Sequence, residues 1–270
     1  MKQALIRAGG VAIAAGLAVA ALGFHNALAD PIVRQLRVNA AVPQTSVVLL
    51  ADLHVAGPDM PPDRLARIVA QTNSLKPDLV LIAGDFVSDK RLATRRYSTR
   101  AAIAPLAKLR ATHGTIAVLG NHDHWRDAGE VRRELAAAGV KLLDNDAIRV
   151  GPLVVGGVDD AMTGHADMPH TVNAMRRIGG LPILLSHSPD AFPDMPPEIG
   201  LMIAGHTHCG QVHLPFVGAL TYASDYGDRY GCGIVRERGR TVVVSAGLGT
   251  SVLPIRFGAP PDLWRITIGR

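Results

Sequence analysis

Five short polar segments hold most of the chemistry this sequence could do: Asp52-Leu53-His54, Gly84-Asp85, Gly120-Asn121-His122-Asp123, Ser186-His187 and Gly205-His206-Thr207-His208. Singly, each has an ordinary explanation. An Asp after an apolar run is often a turn residue or a helix N-cap, and Asn is at home in a left-handed turn. His206 and His208 are a stronger signal, because positions i and i+2 of an extended segment put both imidazoles on one side. Together the five segments supply carboxylate, imidazole and amide oxygen without a thiolate. Such a mixed nitrogen and oxygen set suits Mn, Fe, Zn or Co rather than copper or an iron–sulfur cluster. Nine candidate groups are too many for one tetrahedral zinc. They suit two ions about 3.5–4 Å apart with one carboxylate between them, an arrangement used in hydrolysis.

Each segment directly follows an apolar run of strand length, at 47–51, 79–83, 116–119, 183–185 and 201–204; a sixth run lies at 153–155. Unbroken runs of this kind are expected of strands buried on both faces. In an open α/β sheet ligands bind beyond the carboxyl ends of the strands, so five strand ends would deliver the polar groups to one rim. Gly84, Gly120 and Gly205 each precede a candidate ligand and would let the backbone turn sharply there. Pro61-Pro62-Asp63 opens a helix whose Leu65, Ile68, Val69 and Thr72 share a face. A second helix is expected from Asp127 to Ala138, with Gly139 just past its end. Beyond Gly210 short strands at 212–214, 233–236 and 241–245 alternate with Gly-rich turns. His165 and His170 flank Asp167 in what reads as a loop near the rim; with His25, His113 and His213 they fit no ligand segment. After a variable stretch around Pro31 to Pro43, nothing divides residues 43–270, which read as one α/β domain.

The 270 residues are 48% hydrophobic and 19% charged with a net charge of only +5, which excludes a disordered chain. Two cysteines exclude both a disulfide-stapled mini-fold and a four-cysteine zinc ribbon. The pI near 9.6 is weak evidence for a nucleic-acid partner. Arg91, Arg95, Arg96 and Arg100 cluster, but few aromatics are interleaved for base stacking, so a solvated face is expected.

Residues 8–24 carry no charge and follow Lys2 and Arg7; Ala27-Leu28-Ala29 then offers a small-x-small cleavage pattern. Residues 1–29 are therefore expected to be either a secretory signal or an uncleaved membrane anchor. In both cases the basic flank stays in the cytoplasm and the domain faces outward, the periplasmic side in a Gram-negative cell. No paired arginine supports a twin-arginine signal.

In content and order the five segments resemble the calcineurin-like metallophosphoesterase superfamily. Further blocks, Ser186-His187-Ser188-Pro189-Asp190, His208-Cys209-Gly210-Gln211-Val212, Gly247-Leu248-Gly249-Thr250-Ser251 and Pro254-Ile255-Arg256-Phe257-Gly258, look like its exported or membrane-associated bacterial branch of YkuE-like and YaeI-like phosphoesterases. The resemblance implies an α/β fold, a β-sandwich flanked by helices in four layers, α/β/β/α. It implies a first metal on Asp52, His54 and His208, a bridging Asp85, and a second metal on Asn121, His187 and His206. His122 would act as general acid without ligating, and Asp123 would orient His122. The implied reaction is hydrolysis of phosphomonoesters or phosphodiesters by a hydroxide bridging two divalent ions, on a small-molecule or lipid-linked substrate. A lipid-linked pyrophosphate hydrolase of the UDP-diacylglucosamine type is an alternative that outward topology weakens. A non-catalytic metal-binding sensor would lack a ligand or His122, and neither is missing. His124, Cys209 and Asp262 depart from the tyrosine, glycine and glutamate expected at their positions. Cys209 reads as a small packed residue, and a Cys209–Cys232 disulfide is left open by the sequence.

Overall fold

The computed structural model describes residues 2–88, 90 and 92–270. The apolar runs form two six-stranded sheets. The first is ordered Ile32–Val38, Asp262–Ile268, Thr45–Leu50, Leu79–Ala83, Thr115–Val118, Val140–Leu142. The second is ordered Gly233–Glu237, Arg240–Val244, Leu201–Ala204, Leu181–Ser186, Leu153–Val158, Asp146–Val150. The sheets pack face to face. Along Thr45–Leu50, Val47 and Leu49 point between the sheets, towards Leu185, Ile203 and Val243, while Val48 and Leu50 point to the outer helices. Both faces are thus buried, which is why the strand reads as an unbroken apolar run rather than an alternating one. Leu49 lies at the centre of this seam, and its truncation to Ala would cost about 2–5 kcal/mol.

Helices complete the outer layers. On the first sheet lie α2 (Pro62–Ser74), α3 (Thr99–Ile103) and α4 (Asn121–Ala137); on the second lies α5 (Met168–Ile178). The result is the four-layer α/β/β/α sandwich. Helix α2 opens at Pro62, whose missing N–H costs nothing in a first turn, and buries Leu65, Ile68 and Val69.

Several local expectations need correction. The variable stretch holds an edge strand, Ile32–Val38, paired in parallel with Asp262–Ile268 near the end of the chain. Helix α4 begins at Asn121, six residues before the expected start, and Asp127 is the non-helical kink within it. The stretch around Asp167 is no loop throughout: its carboxylate caps α5 by accepting the His170 N–H at 2.9 Å, which puts His170 in the first turn. Of the clustered arginines, Arg91 lies outside the described residues, and Arg95 and Arg96 are exposed on a two-residue strand against Ala56–Gly57.

The N-terminal helix α1 (Lys2–Leu28) contains a stretch, Gly9–Leu28, that is long and apolar enough to cross a membrane. Its last turns are seated on the domain. Ala27 is buried, Gly23 packs against the Phe257 ring, and Arg256 N–H donates to the Gly23 carbonyl at 2.9 Å. Asn26 Nδ2 returns a bond to the Arg256 carbonyl at 3.1 Å.

Candidate functional site

All five polar segments meet at the carboxyl ends of the strands. The turns there are tight: Asp52, His54, Asp85, His206 and His208 all have positive φ, between 43° and 70°. Asp and His tolerate that left-handed region better than most residues. Close approach explains two of the glycines. A Cβ on Gly205 would lie 2.5 Å from Asp52 Oδ2, and one on Gly120 would collide with Asp85 Oδ1.

The side chains converge as two overlapping groups. On one side, His54 Nε2 lies 3.0 Å from His208 Nε2 and 3.3 Å from Asp85 Oδ2, and Asp52 Oδ1 is 3.9 Å from His208 Nε2. On the other, His187 Nε2 lies 3.4 Å from the same Asp85 oxygen, 3.0 Å from Asn121 Oδ1 and 3.1 Å from His206 Nδ1. Asp85 stands between the two sets. Asp52, His54, Asp85 and His187 are fully or almost fully buried.

Two backbone carbonyls fix the histidine tautomers on the second side. His187 Nδ1 is 2.7 Å from the Ala83 carbonyl, and His206 Nε2 is 2.9 Å from the Ala223 carbonyl. A carbonyl only accepts, so those nitrogens carry the protons. The remaining nitrogens, His187 Nε2 and His206 Nδ1, then present lone pairs to each other at 3.1 Å. Only a proton or a cation between them resolves that contact. This donor set, its carboxylates included, fits a pair of divalent cations, and the carbonyl partners are the outer groups that orient metal-binding histidines.

Charge follows the same geometry. Burial alone would lower His187, but the Asp85 and Asp52 carboxylates outweigh it and raise it to about 10. Burial lowers His206 to about 4, helped by the positive charge of His187. It also holds His54 and His208 well below the usual histidine range, so both are neutral at pH 7 with lone pairs free for a cation. Burial would raise Asp85, yet its imidazole neighbours, His187 foremost, keep it well below the ordinary carboxylate range. Asp52 is pushed up to about 7 by burial, against the pull of His187. In a metal-free chain, protonated His187 serves as the cation of the site.

Asp123 is tied closely to the backbone. Its Oδ2 accepts the N–H groups of Asp85 (2.8 Å) and Gly120 (3.0 Å), and its Oδ1 those of Phe86 (2.9 Å) and Val87 (3.3 Å). Both oxygens accept backbone N–H groups, so this carboxylate ties the Asp85 and Gly120 turns together. His122 itself is part-exposed. Its N–H donates to Asp85 Oδ1 at 2.9 Å, and its ring stands edge-on to His54 and Trp125, with centroids 4.6 and 4.9 Å away.

Cys209 forms a disulfide with Cys232, which removes its sulfur from any ligand role. Three further residues surround the candidate ligands. Arg256 is buried with its guanidinium on the carbonyls of Ala246, Gly247, Gly249 and Ala259, 3.4 Å from His208 Nδ1. Lys90 is buried on Asp59 (2.6 Å) and Thr250 (3.1 Å) at the edge of the site. Tyr222 lines the cleft above it. An Arg or Lys gives no pattern by which burial can be read, so only the fold reveals them. The cleft has a volume of about 480 Å³ and includes Asp85, Asn121, His122, His206 and His208.

A four-layer sandwich with carboxylates, an amide and imidazoles gathered around one central Asp at its strand ends defines a metal-dependent phosphoesterase, a hydrolase. Residues 45–210 match the family model described as calcineurin-like phosphoesterase, and the chain belongs to that family. It is 32% identical over 220 residues to the uncharacterized metallophosphoesterase YkuE of Bacillus subtilis (strain 168), covering 76% of this chain and 72% of that protein. An uncharacterized metallophosphoesterase of Helicobacter pylori (strain J99) is 30% identical over 250 residues, covering 89% of this chain and 65% of its own length. A Danio rerio transmembrane protein with metallophosphoesterase domain is 30% identical over 241 residues, covering 82% of this chain but 52% of the relative.

Proposed function

We propose that the site holds two divalent cations and hydrolyses phosphomonoesters or phosphodiesters. The observation that supports it best is the meeting of tautomer-fixed lone pairs at His187 and His206 beside a carboxylate that faces both halves of the site. Asp52, His54 and His208 would hold one ion, Asn121, His187 and His206 the other, and Asp85 both. Bound there, the ions supply Lewis acidity that activates water and offsets charge on the phosphoryl oxygens. Asp85 is kept ionised by its imidazole neighbours, ready for that task. His122, on the cleft side of the cluster, holds a proton for the departing ester oxygen, so that oxygen leaves as an alcohol. Trp125 and His54 brace the His122 ring in the required direction. Asp123 fixes the Asp85 and Gly120 turns, and so the spacing of the two halves.

We infer that the domain lies outside the cytoplasm, anchored by α1. The Cys209–Cys232 bond supports an oxidising compartment, and Lys2 and Arg7 support an inward N-terminus. Metal analysis of the purified chain, combined with hydrolysis of p-nitrophenyl phosphate and bis-p-nitrophenyl phosphate in added Mn, tests the assignment. Two metals per chain are expected, with turnover reduced about 100-fold or more in His122→Ala at unchanged metal content. A chain without metal, or a His122→Ala variant with full turnover, would refute it.

A further inference from the structure

Beyond the ligands, the cleft is walled by Trp125, Met162, Val212, Leu220, Val252 and Leu253. That wall continues outward into exposed apolar residues. The hairpin of His213–Leu214 and Gly218–Ala219 lifts Phe216 and Val217 clear of the domain, and Phe216 is as exposed (109%) as in an extended peptide. Leu214, Leu220, Val252 and Leu253 stand exposed around the same mouth. Water-facing apolar residues so grouped mark a surface that meets something apolar.

The seat of α1 identifies the occupant. The segment that carries Val252 and Leu253 on the cleft wall continues directly into Ile255, Arg256 and Phe257, against which Gly23 and Asn26 of α1 are fixed. The hairpin is laced to that segment. Phe257 N–H donates to the Gln211 carbonyl at 2.9 Å, His213 N–H to the Phe257 carbonyl at 3.0 Å, and Gln211 Nε2 to the Leu253 carbonyl at 2.9 Å. Helix α1 leaves the domain at Gly23 with Val11, Ile13, Leu17, Val19 and Leu22 exposed along its length. A bilayer around those residues ends where Gly23 touches the domain, beside the cleft mouth and the hairpin.

We propose that the cleft mouth rests on the lipid bilayer, with Phe216 and Val217 inserted, and that the site takes the phosphoester of a membrane-resident amphiphile whose apolar chain follows the Leu220–Val252–Leu253 wall. The substrate half rests on the phosphoesterase assignment; the docking half does not. Hydrolysis would add water across the P–O bond and release alcohol and phosphate monoester or phosphate, one of them still in the membrane.

The test uses the full chain reconstituted in phosphatidylcholine vesicles. The native cysteines are paired, so Phe216→Cys gives one thiol for an environment-sensitive fluorophore. Thr112→Cys, on an exposed turn at the opposite end of the strands, is the control. Nitroxide groups on the lipid acyl chains should quench emission at 216 and not at 112; equal emission loss or none at 216 overturns the docking. Phe216→Ser with Val217→Ser should lower, about tenfold, the ratio of hydrolysis of an alkyl p-nitrophenyl phosphodiester in the vesicles to that of soluble bis-p-nitrophenyl phosphate. An unchanged ratio overturns the substrate class. No hydrolysis of either ester by the metal-loaded wild type overturns the phosphoesterase assignment, and the quenching result still decides the docking.

Discussion

Asp123→Asn is the most discriminating single change, because it distinguishes a carboxylate that orients His122 from one that holds the scaffold. The substitution keeps size and shape. One oxygen becomes an NH2 group, so two of the four backbone N–H donors at Asp85, Gly120, Phe86 and Val87 face a donor instead of an acceptor. A buried N–H without a partner costs about 1–3 kcal/mol, giving about 2–6 kcal/mol for two. Part of that is offset. Burial and the nearby Asp85 charge raise Asp123 to about 7, so removing the carboxylate also relieves a strained ionisation. The net expectation is a loss of about 2–4 kcal/mol, a large fraction of a domain's usual stability. Urea unfolding with chelator present reads it as a lower midpoint at unchanged slope. Metal content should fall as well, since the turn that presents Asp85 loosens. A variant that unfolds within about 0.5 kcal/mol of wild type, binds metal normally and loses only turnover would refute the scaffold role and restore an orienting one.

Other expectations are as direct. Asp85→Asn should reduce metal content towards one ion or none, as measured by elemental analysis, because it removes the carboxylate charge that lies 3.3 Å from His54 and 3.4 Å from His187. The metal-free chain should lose stability as pH rises from about 7 towards 10. Against burial, the Asp85 and Asp52 carboxylates raise His187 to about 10, so the folded chain retains a proton that the unfolded imidazole, near 6.5, has given up, while His54, His206 and His208 are neutral in both states there. Urea midpoints at pH 7.5 and pH 9 in chelator check the sign, and a higher midpoint at pH 9 would contradict it. Reducing Cys209–Cys232, which spans 23 residues, should cost about 3 kcal/mol. It should also weaken metal binding, because the loop it closes includes the Ala223 carbonyl that fixes His206; metal titration before and after a phosphine reductant measures this.

Much of the site was legible because of how its strands are buried. A strand covered on both faces must be apolar throughout, so Asp52, Asp85, Asn121 and His187 stand out where each run stops. Edge strands carry no such mark: Ile32–Val38 mixes Arg34, Gln35 and Arg37 with its apolar residues, and its pairing partner lies some 230 positions away at Asp262–Ile268. The backbone contacts of Asp123 were hidden for a related reason: sequence shows only its neighbour His122, whereas the turn also aims its carboxylate across to Asp85, Phe86 and Val87 on another strand end. Arg256 and Lys90 were opaque because burial of a cation is decided by tertiary contacts alone. The disulfide is similar, since only the fold brings Cys209 and Cys232 together.

Left-handed backbone at Asp52, His54, Asp85, His206 and His208 has a bearing on how such a chain evolves. Even for residues that tolerate this region, each of the five costs some free energy relative to a glycine there, and together they weigh against folding. That burden falls on every molecule, whether or not it ever meets a substrate. Selection for activity alone keeps these side chains in place. A duplicated copy freed from that selection would gain stability by drifting to Gly or Asn at these positions, so decay of the site would be faster than decay of the sandwich around it. A lineage that still shows all five is one in which the chemistry has been continuously used.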